Sequence, residues 1–134
     1  MITIELPHPP SVNTYWRIGH HGRMHISAQG VDYRRAVMEA VAGAGLRMGY
    51  STPVTVHVVW YPPDNRRRDI DNVLKALLDA LGAANVYEDD SQVHALSIER
   101  GPVTKGGSVV VRVRPLPAGS RTTGAGPSTI GPCG

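Results

Sequence analysis

Alternation opens the chain. Ile2, Ile4 and Leu6 are apolar while Thr3 and Glu5 between them are polar, which predicts a half-buried strand that Pro7, Pro9 and Pro10 stop. Residues 11–26, rich in Gly, His and Arg, carry no period and read as a long loop. Ser27 is placed as the N-cap of a helix running to about Met48, with Tyr33, Val37, Val41 and Ala44 along one face. Val54, Val56, Val58 and Trp60 alternate with Thr55 and His57, giving a second strand that Pro62-Pro63 ends. Leu74, Leu77, Leu78 and Leu81 then stand at i, i+3, i+4 and i+7, so a second helix is expected from about Asp71 to Leu81 with Gly82 as its stop. Two further strands fall near residues 93–100 and 107–114. The order β-α-β-α-β-β predicts the α/β class: a small mixed β-sheet with two helices packed on it.

Composition changes the picture at the end of the chain. From Pro115 onward, 14 of 20 residues are Gly, Pro, Ser or Thr. Such a segment buries too little apolar surface to offset its ordering entropy, so residues 116–134 are expected to form a disordered C-terminal tail behind a domain spanning 1–115. Cys133 lies in that tail, and a lone cysteine makes neither an internal disulfide nor a thiolate metal site. No apolar run is long enough to span a bilayer, and the first residues lack the basic and apolar regions of a secretory signal. A cytoplasmic protein is expected. The charge adds a hint about partners. Fourteen Lys and Arg stand against 11 Asp and Glu, and 12 of the 14 are arginine, whose planar fork suits phosphate oxygens.

The densest polar stretch is Asp64-Asn-Arg66-Arg67-Arg68-Asp69-Ile-Asp71-Asn72-Val-Leu-Lys75, at the junction of the second strand and second helix. Carboxylates at i and i+2 share a face only on extended backbone, so a joint action of Asp69 and Asp71 requires the helix to begin at or after Asp71. Asp71 or Asn72 is then the N-cap, with Lys75 one turn along from Asp71 and on its side. In the second acidic pair, Asp89-Asp90, adjacent residues can send only one side chain into a shared site. Converging carboxylates repel unless a cation sits between them, and hard oxygen donors suit Mg²⁺ or Mn²⁺. The bland alternative is a capping Asp71, a surface Asp69 beside an arginine, and an acidic turn at Asp89-Asp90. Spacing alone does not separate the two.

The block Arg67-Arg68-Asp69-Ile-Asp71-Asn72-x-x-Lys75-Ala-x-x-Asp79-Ala-Leu, followed by Asp89-Asp90-Ser91-Gln92-Val93, resembles the RusA family of Holliday junction resolvases. Pro10-Ser11-x-Asn13-x-Tyr15-Trp16-Arg17, Tyr33-Arg34 and Thr104-Lys105-Gly106-Gly107 match as well, so the likeness runs from residue 1 to about 115. The tail is the one departure. The resemblance implies a RusA-like fold and a homodimeric, Mg²⁺-dependent endonuclease (Mn²⁺ as substitute) that nicks four-way junction DNA symmetrically, as phages and prophages encode. It also implies that Asp69, Asp71 and Asp90 are catalytic and metal-binding, with Lys75 as the active-site lysine, and the three aspartates are expected to form one cluster although Asp90 lies about 20 residues along the chain. Arg66, Arg67 and Arg68 beside the carboxylates, with Arg17, Arg23, Arg34 and Lys105, are expected to hold DNA.

Several residues are given plainer roles. The loop Gly19-His20-His21-Gly22-Arg23-Met24-His25 lacks zinc-site spacing and reads as exposed or as a DNA contact. His57 reads as a packed or half-exposed histidine within its strand, not a base, and His94 is not expected to be a catalyst. Asp79, one turn beyond Lys75, is expected to pair with it. Val109, Val111 and Val113 offer an apolar side on which a second copy could dock. A DNA-binding module that no longer cuts, and a cation-stabilised structural protein, remain as alternatives from other classes.

Overall fold

In the computed structural model, residues 1–19, 22–46 and 49–117 are described. Strand β1 (Ile2–Pro7) leads into a one-turn helix α1 (Val12–Tyr15) and a short hairpin, β2 (Trp16–Ile18) with β3 (Met24–Ile26). Helix α2 (Ala28–Gly43), strand β4 (Val54–Tyr61) and helix α3 (Ile70–Ala83) follow, then a 3₁₀ turn (Asp90–Gln92) and strands β5 (Val93–Arg100) and β6 (Ser108–Pro115). The four long strands form one mixed sheet in the order β1-β6-β4-β5. Only β4 and β5 are parallel, because α3 is the crossover between them. The expected α/β class and mixed sheet with two helices are therefore what the chain adopts.

The alternation reads directly as burial. Ile2, Ile4, Leu6, Val54, Val56, Val58, Trp60, Val109, Val111 and Val113 are buried, as are Tyr33, Val37 and Val41 of α2. Val73, Ala76, Leu77, Ala80 and Leu81 of α3 complete the same core. Val109, Val111 and Val113 are thus interior residues of a central strand and offer no side to a second copy. The opposite sheet face is polar or half-exposed: Thr3, Glu5, Arg112 and Arg114 are exposed, and His57 is half-buried, as expected.

Local differences from the pattern have local causes. The expected loop over 11–26 contains α1 and the β2–β3 hairpin, whose residues Ile18 and Met24 are exposed and so leave no period to read. Ser27 does cap α2, its hydroxyl accepting from the Gly30 N–H at 3.0 Å. That helix ends at Gly43, well short of Met48, because Gly45 turns the chain with φ +87°. Helix α3 starts one residue earlier than expected and passes through Gly82. Its stop is Asn85 at φ 60°, with the Val86 N–H bonding back to the Leu81 carbonyl at 3.1 Å, a Schellman ending. Leu116 and Pro117 are the last residues described; the rest of the expected tail, with Cys133, lies outside the described residues, as do His20 and His21.

Candidate active site

The arginine-rich loop is folded by its own aspartate. Asp64 accepts from Arg68 Nη1 at 2.6 Å, from Arg68 Nη2 at 3.2 Å and from the Arg66 backbone N–H at 2.9 Å. The Arg68 bonds, then the Arg66 amide, hold the Asp64 carboxyl down at about 2. Arg100, stacked 4.6 Å over Trp60, donates to the Arg68 carbonyl at 2.7 Å, which fastens the loop to the end of β5. Arg68 is therefore spent on structure, while Arg67 stands exposed.

This loop delivers Asp69 to the start of α3. Asp69 is the N-cap, with extended backbone (φ −86°, ψ 141°), and its side chain makes no capping bond. The expectation that the helix begins at or after Asp71 is overturned: Asp71 lies in the first turn. Asp69 itself keeps the extended backbone on which the expectation rested. Both carboxylates are exposed, at the end of the helix whose dipole favours negative charge. Lys75, one turn on, is exposed and makes no ion pair among the described residues. Asn72 ties α3 to α1, its Oδ1 accepting from the Val12 N–H at 3.0 Å.

Asp69, Asn72, Arg66 and Arg68 line a cleft whose other wall includes His8 and Gln29. Nothing local in the sequence marks His8, because its partner is 52 residues away. Trp60 Nε1 donates to His8 Nε2 at 2.9 Å, and burial, then the Arg68 charge, pushes the imidazole pKa down, so His8 is neutral. The turn bearing Lys105 reaches the same end of the sheet. The Thr104 N–H bonds the Pro62 carbonyl at 2.8 Å, and a Cβ on Gly107 would meet His8 Cδ2 at 2.9 Å. Arg17 and Arg23 belong to the β2–β3 hairpin and its turn, which α1 joins to this end through Asn72; both are exposed.

Asp90 stands elsewhere. A Cβ on Gly82 would come 3.5 Å from Asp90 Oδ1. Gly82 is 13 helical residues beyond Asp69, roughly 20 Å along α3 at 1.5 Å per residue. Among the described residues no group of three His, Cys, Asp or Glu comes together closely enough to hold a metal ion. The structure thus brings Asp69, Asp71 and Lys75 to one end of α3 and leaves Asp90 at the other.

Around Asp90 the surroundings are acidic. Its pocket is lined by Arg34, Asp79, Glu88 and Asp89. Partial desolvation of its carboxyl, then the charges of Asp79 and Asp89, raises the Asp90 pKa, against an opposing hydrogen bond with Tyr87. Asp89 takes the Ser91 hydroxyl as donor, a local partner that Asp90 does not share. The expected Lys75–Asp79 pair does not form. Asp79 instead accepts from Arg34 Nε at 2.9 Å, from Arg34 Nη2 at 2.7 Å, and from the buried Tyr15 hydroxyl. Arg34, expected on DNA, has two of its three guanidinium nitrogens committed to this buried-edge network. Burial and Asp79 push the Tyr15 phenol up to about 12, so it stays a donor.

Comparison with known proteins matches the sequence to a family. The sequence model of the family described as Endodeoxyribonuclease RusA matches residues 7–114. A crossover junction endodeoxyribonuclease of Enterobacteria phage 82 is 44% identical over 110 residues, covering 82% of this chain and 91% of the relative. The enzymes of the same name from Shigella sonnei (strain Ss046) and Escherichia coli (strain K12) are 43% and 42% identical over 111 residues, covering 83% of this chain and 92% of each relative.

Proposed function

The chain belongs to the RusA family of endodeoxyribonucleases, and from that premise we propose that it is a homodimeric, Mg²⁺-dependent resolvase of four-way DNA junctions, acting in the cytoplasm. The observation that carries the reading is the end of α3: two uncommitted carboxylates, Asp69 and Asp71, beside a free lysine and an arginine-rich loop. A carboxylate pair alone would repel a phosphodiester. A pair flanked by Lys75, Arg66 and Arg67 accepts one, provided a cation neutralises the acids.

The donor chemistry fits that cation. Exposed carboxylate oxygens are hard ligands of the kind Mg²⁺ takes, with water completing its shell. Asp69 and Asp71 of one chain would hold it, with Asp90 as third ligand, and Mn²⁺ is the natural substitute. A bound ion of this kind supplies Lewis-acid charge at the scissile phosphate. The side chains do the rest. Lys75 binds a non-bridging oxygen and offsets charge as it grows on the phosphorus, while Arg66 and Arg67 grip neighbouring phosphates and fix the strand's register. Arg17, Arg23 and Lys105 extend the basic surface toward the arms.

The place of the third carboxylate supports a role for the dimer. With Asp90 beside Gly82, roughly 20 Å along α3 from Asp69, a complete ligand set takes Asp69 and Asp71 from one protomer and Asp90 from its partner. Twofold symmetry then yields two such sites, matching the two symmetry-related strands of a junction.

A synthetic four-way junction labelled on each strand in turn tests the reading. Paired nicks at symmetric positions are expected with Mg²⁺ and none in EDTA. Tight binding with no cutting in any divalent cation would replace the reading with a non-catalytic junction-binding module.

A further inference from the structure

Resting on the reading of Asp90 as a metal ligand, we propose that Gln92 is its positioning residue, the clamp that presents the Asp90 carboxylate to the cation. The Gln92 side-chain amide uses its full hydrogen-bonding capacity. Its Oε1 accepts from the backbone N–H groups of Glu88 and Asp89, both at 2.8 Å. Its Nε2 donates to the carbonyls of Tyr50 at 2.8 Å and Thr52 at 2.9 Å. Two donors and two acceptors are all that a primary amide offers. A flipped amide would face two N–H groups with its NH₂ and two carbonyls with its oxygen, so one orientation is enforced.

What the amide joins explains the role. The strap at 49–52 is itself fixed, because the Tyr50 N–H bonds the Val86 carbonyl at 2.8 Å and a Cβ on Gly49 would lie only 2.1 Å from the Asn85 carbonyl oxygen. On the other side, the Tyr87 hydroxyl donates to the Leu78 carbonyl at 2.9 Å and ties the approach to the turn onto α3. Asp90 lies between Asp89, whose N–H the amide holds, and Gln92 itself. Its backbone is therefore held from both directions, although Asp90 is exposed and the 3₁₀ turn contains no buried residue. An exposed three-residue turn would otherwise sample many directions. Ligand-orienting partners of this kind typically change metal affinity by roughly 10-fold to 100-fold when removed.

Full-length wild type, Gln92→Ala, Gln92→Glu, Asp90→Asn and the Asp90→Asn/Gln92→Ala double variant are compared by Mn²⁺ titration and by the Mg²⁺ dependence of nicking. Gln92→Ala should weaken Mn²⁺ binding about tenfold or more. It should raise the half-saturating Mg²⁺ while the rate at saturating metal recovers toward wild type. Junction binding in EDTA should not move. Gln92→Glu keeps the length but sets a carboxylate oxygen against the Tyr50 and Thr52 carbonyls, so it should fail in the same way; it also serves if the alanine variant does not fold. In the double variant the Gln92 change should add nothing to the loss from Asp90→Asn, since both act through one group. Unchanged Mn²⁺ affinity in both Gln92 variants, with affinity lost in Asp90→Asn, overturns the positioning role and leaves the ligand assignment standing. So does a fully additive double variant, which would mark Gln92 as structural only. Unchanged affinity in Asp90→Asn overturns the ligand assignment itself.

Discussion

Asp64 and Asp90 carry the same side chain, tuned in opposite directions by their neighbours. Asp64 gains two bonds from Arg68 and one amide, so its folded pKa lies below its unfolded value. Its contribution to stability is present above the ordinary carboxylate range and is lost as pH falls through about 2. Asp90 has partial desolvation and two like charges against it, so its folded pKa lies above the ordinary 3.8. Between those two values the folded state holds the extra proton, and stability falls as pH rises through that window. At neutral pH the Asp90 charge is thus a standing cost, which the proposed cation would offset. Asp90→Asn should abolish junction cutting, yet melt no lower than wild type at neutral pH without metal, with any gain fading below 3.8. Thermal melts across pH, paired with a nicking assay, check both halves. A clear drop in neutral-pH melting temperature would show that the carboxylate is wanted for folding. Asp71→Asn, exposed in the first turn of α3, should likewise cost the rate and spare the fold.

At the scale of elements, packing decides what residue preference leaves open. Gly30 lies in α2, where alanine is favoured by about 1 kcal/mol on propensity. A Cβ there would sit 2.5 Å from Ile26 Cγ1 and 2.8 Å from the Tyr15 carbonyl oxygen. The backbone of α1 cannot give way cheaply, so Gly30→Ala should destabilise in urea unfolding despite the better helix former. Arg34→Ala leaves Asp79 and the Tyr15 hydroxyl without their cation and should cost roughly 2 kcal/mol in the same measurement. These two cases mark the limit of what the sequence makes legible. Long elements with a clean period, β1, β4, α3 and β6, were readable because one face of each is buried. The β2–β3 hairpin was not, since exposed three-residue strands impose no pattern. The carboxylate–lysine block was legible as chemistry, because Asp69, Asp71 and Lys75 are near neighbours in the chain. Arg34–Asp79 and His8–Trp60 were hidden, since each joins residues 45 or more apart whose meeting depends on how helices rotate and strands pair. The same blindness made a single Asp69–Asp71–Asp90 cluster look natural: sequence order says nothing about which end of α3 the chain returns to.

For the whole molecule, the length of α3 has a consequence that ordinary single-variant assays miss. If each site takes Asp69 and Asp71 from one protomer and Asp90 from the other, inactivating changes can be sorted onto different chains. Consider a heterodimer of one Asp69→Asn chain and one Asp90→Asn chain. One of its sites receives both defects. The other receives Asp69 and Asp71 from the Asp90→Asn chain and Asp90 from the Asp69→Asn chain, and is intact. Neither variant alone can cut, but the mixture, once subunits have exchanged, should nick one strand of a junction at up to about a quarter of the wild-type rate per total dimer, since half of a random mixture is heterodimer and twofold pairing leaves each one good site of two. On a supercoiled cruciform plasmid, wild type should give linear product from two coupled nicks, whereas the mixture should stop at nicked circles. Sites formed within single chains predict no rescue at any mixing ratio, because each chain then carries its own defect. A sedimentation profile showing only 14.4 kDa monomer at the concentrations that cut would remove the dimer altogether. Rescue with nicked circles as the end point would fix both the partnership and the division of ligands between its members.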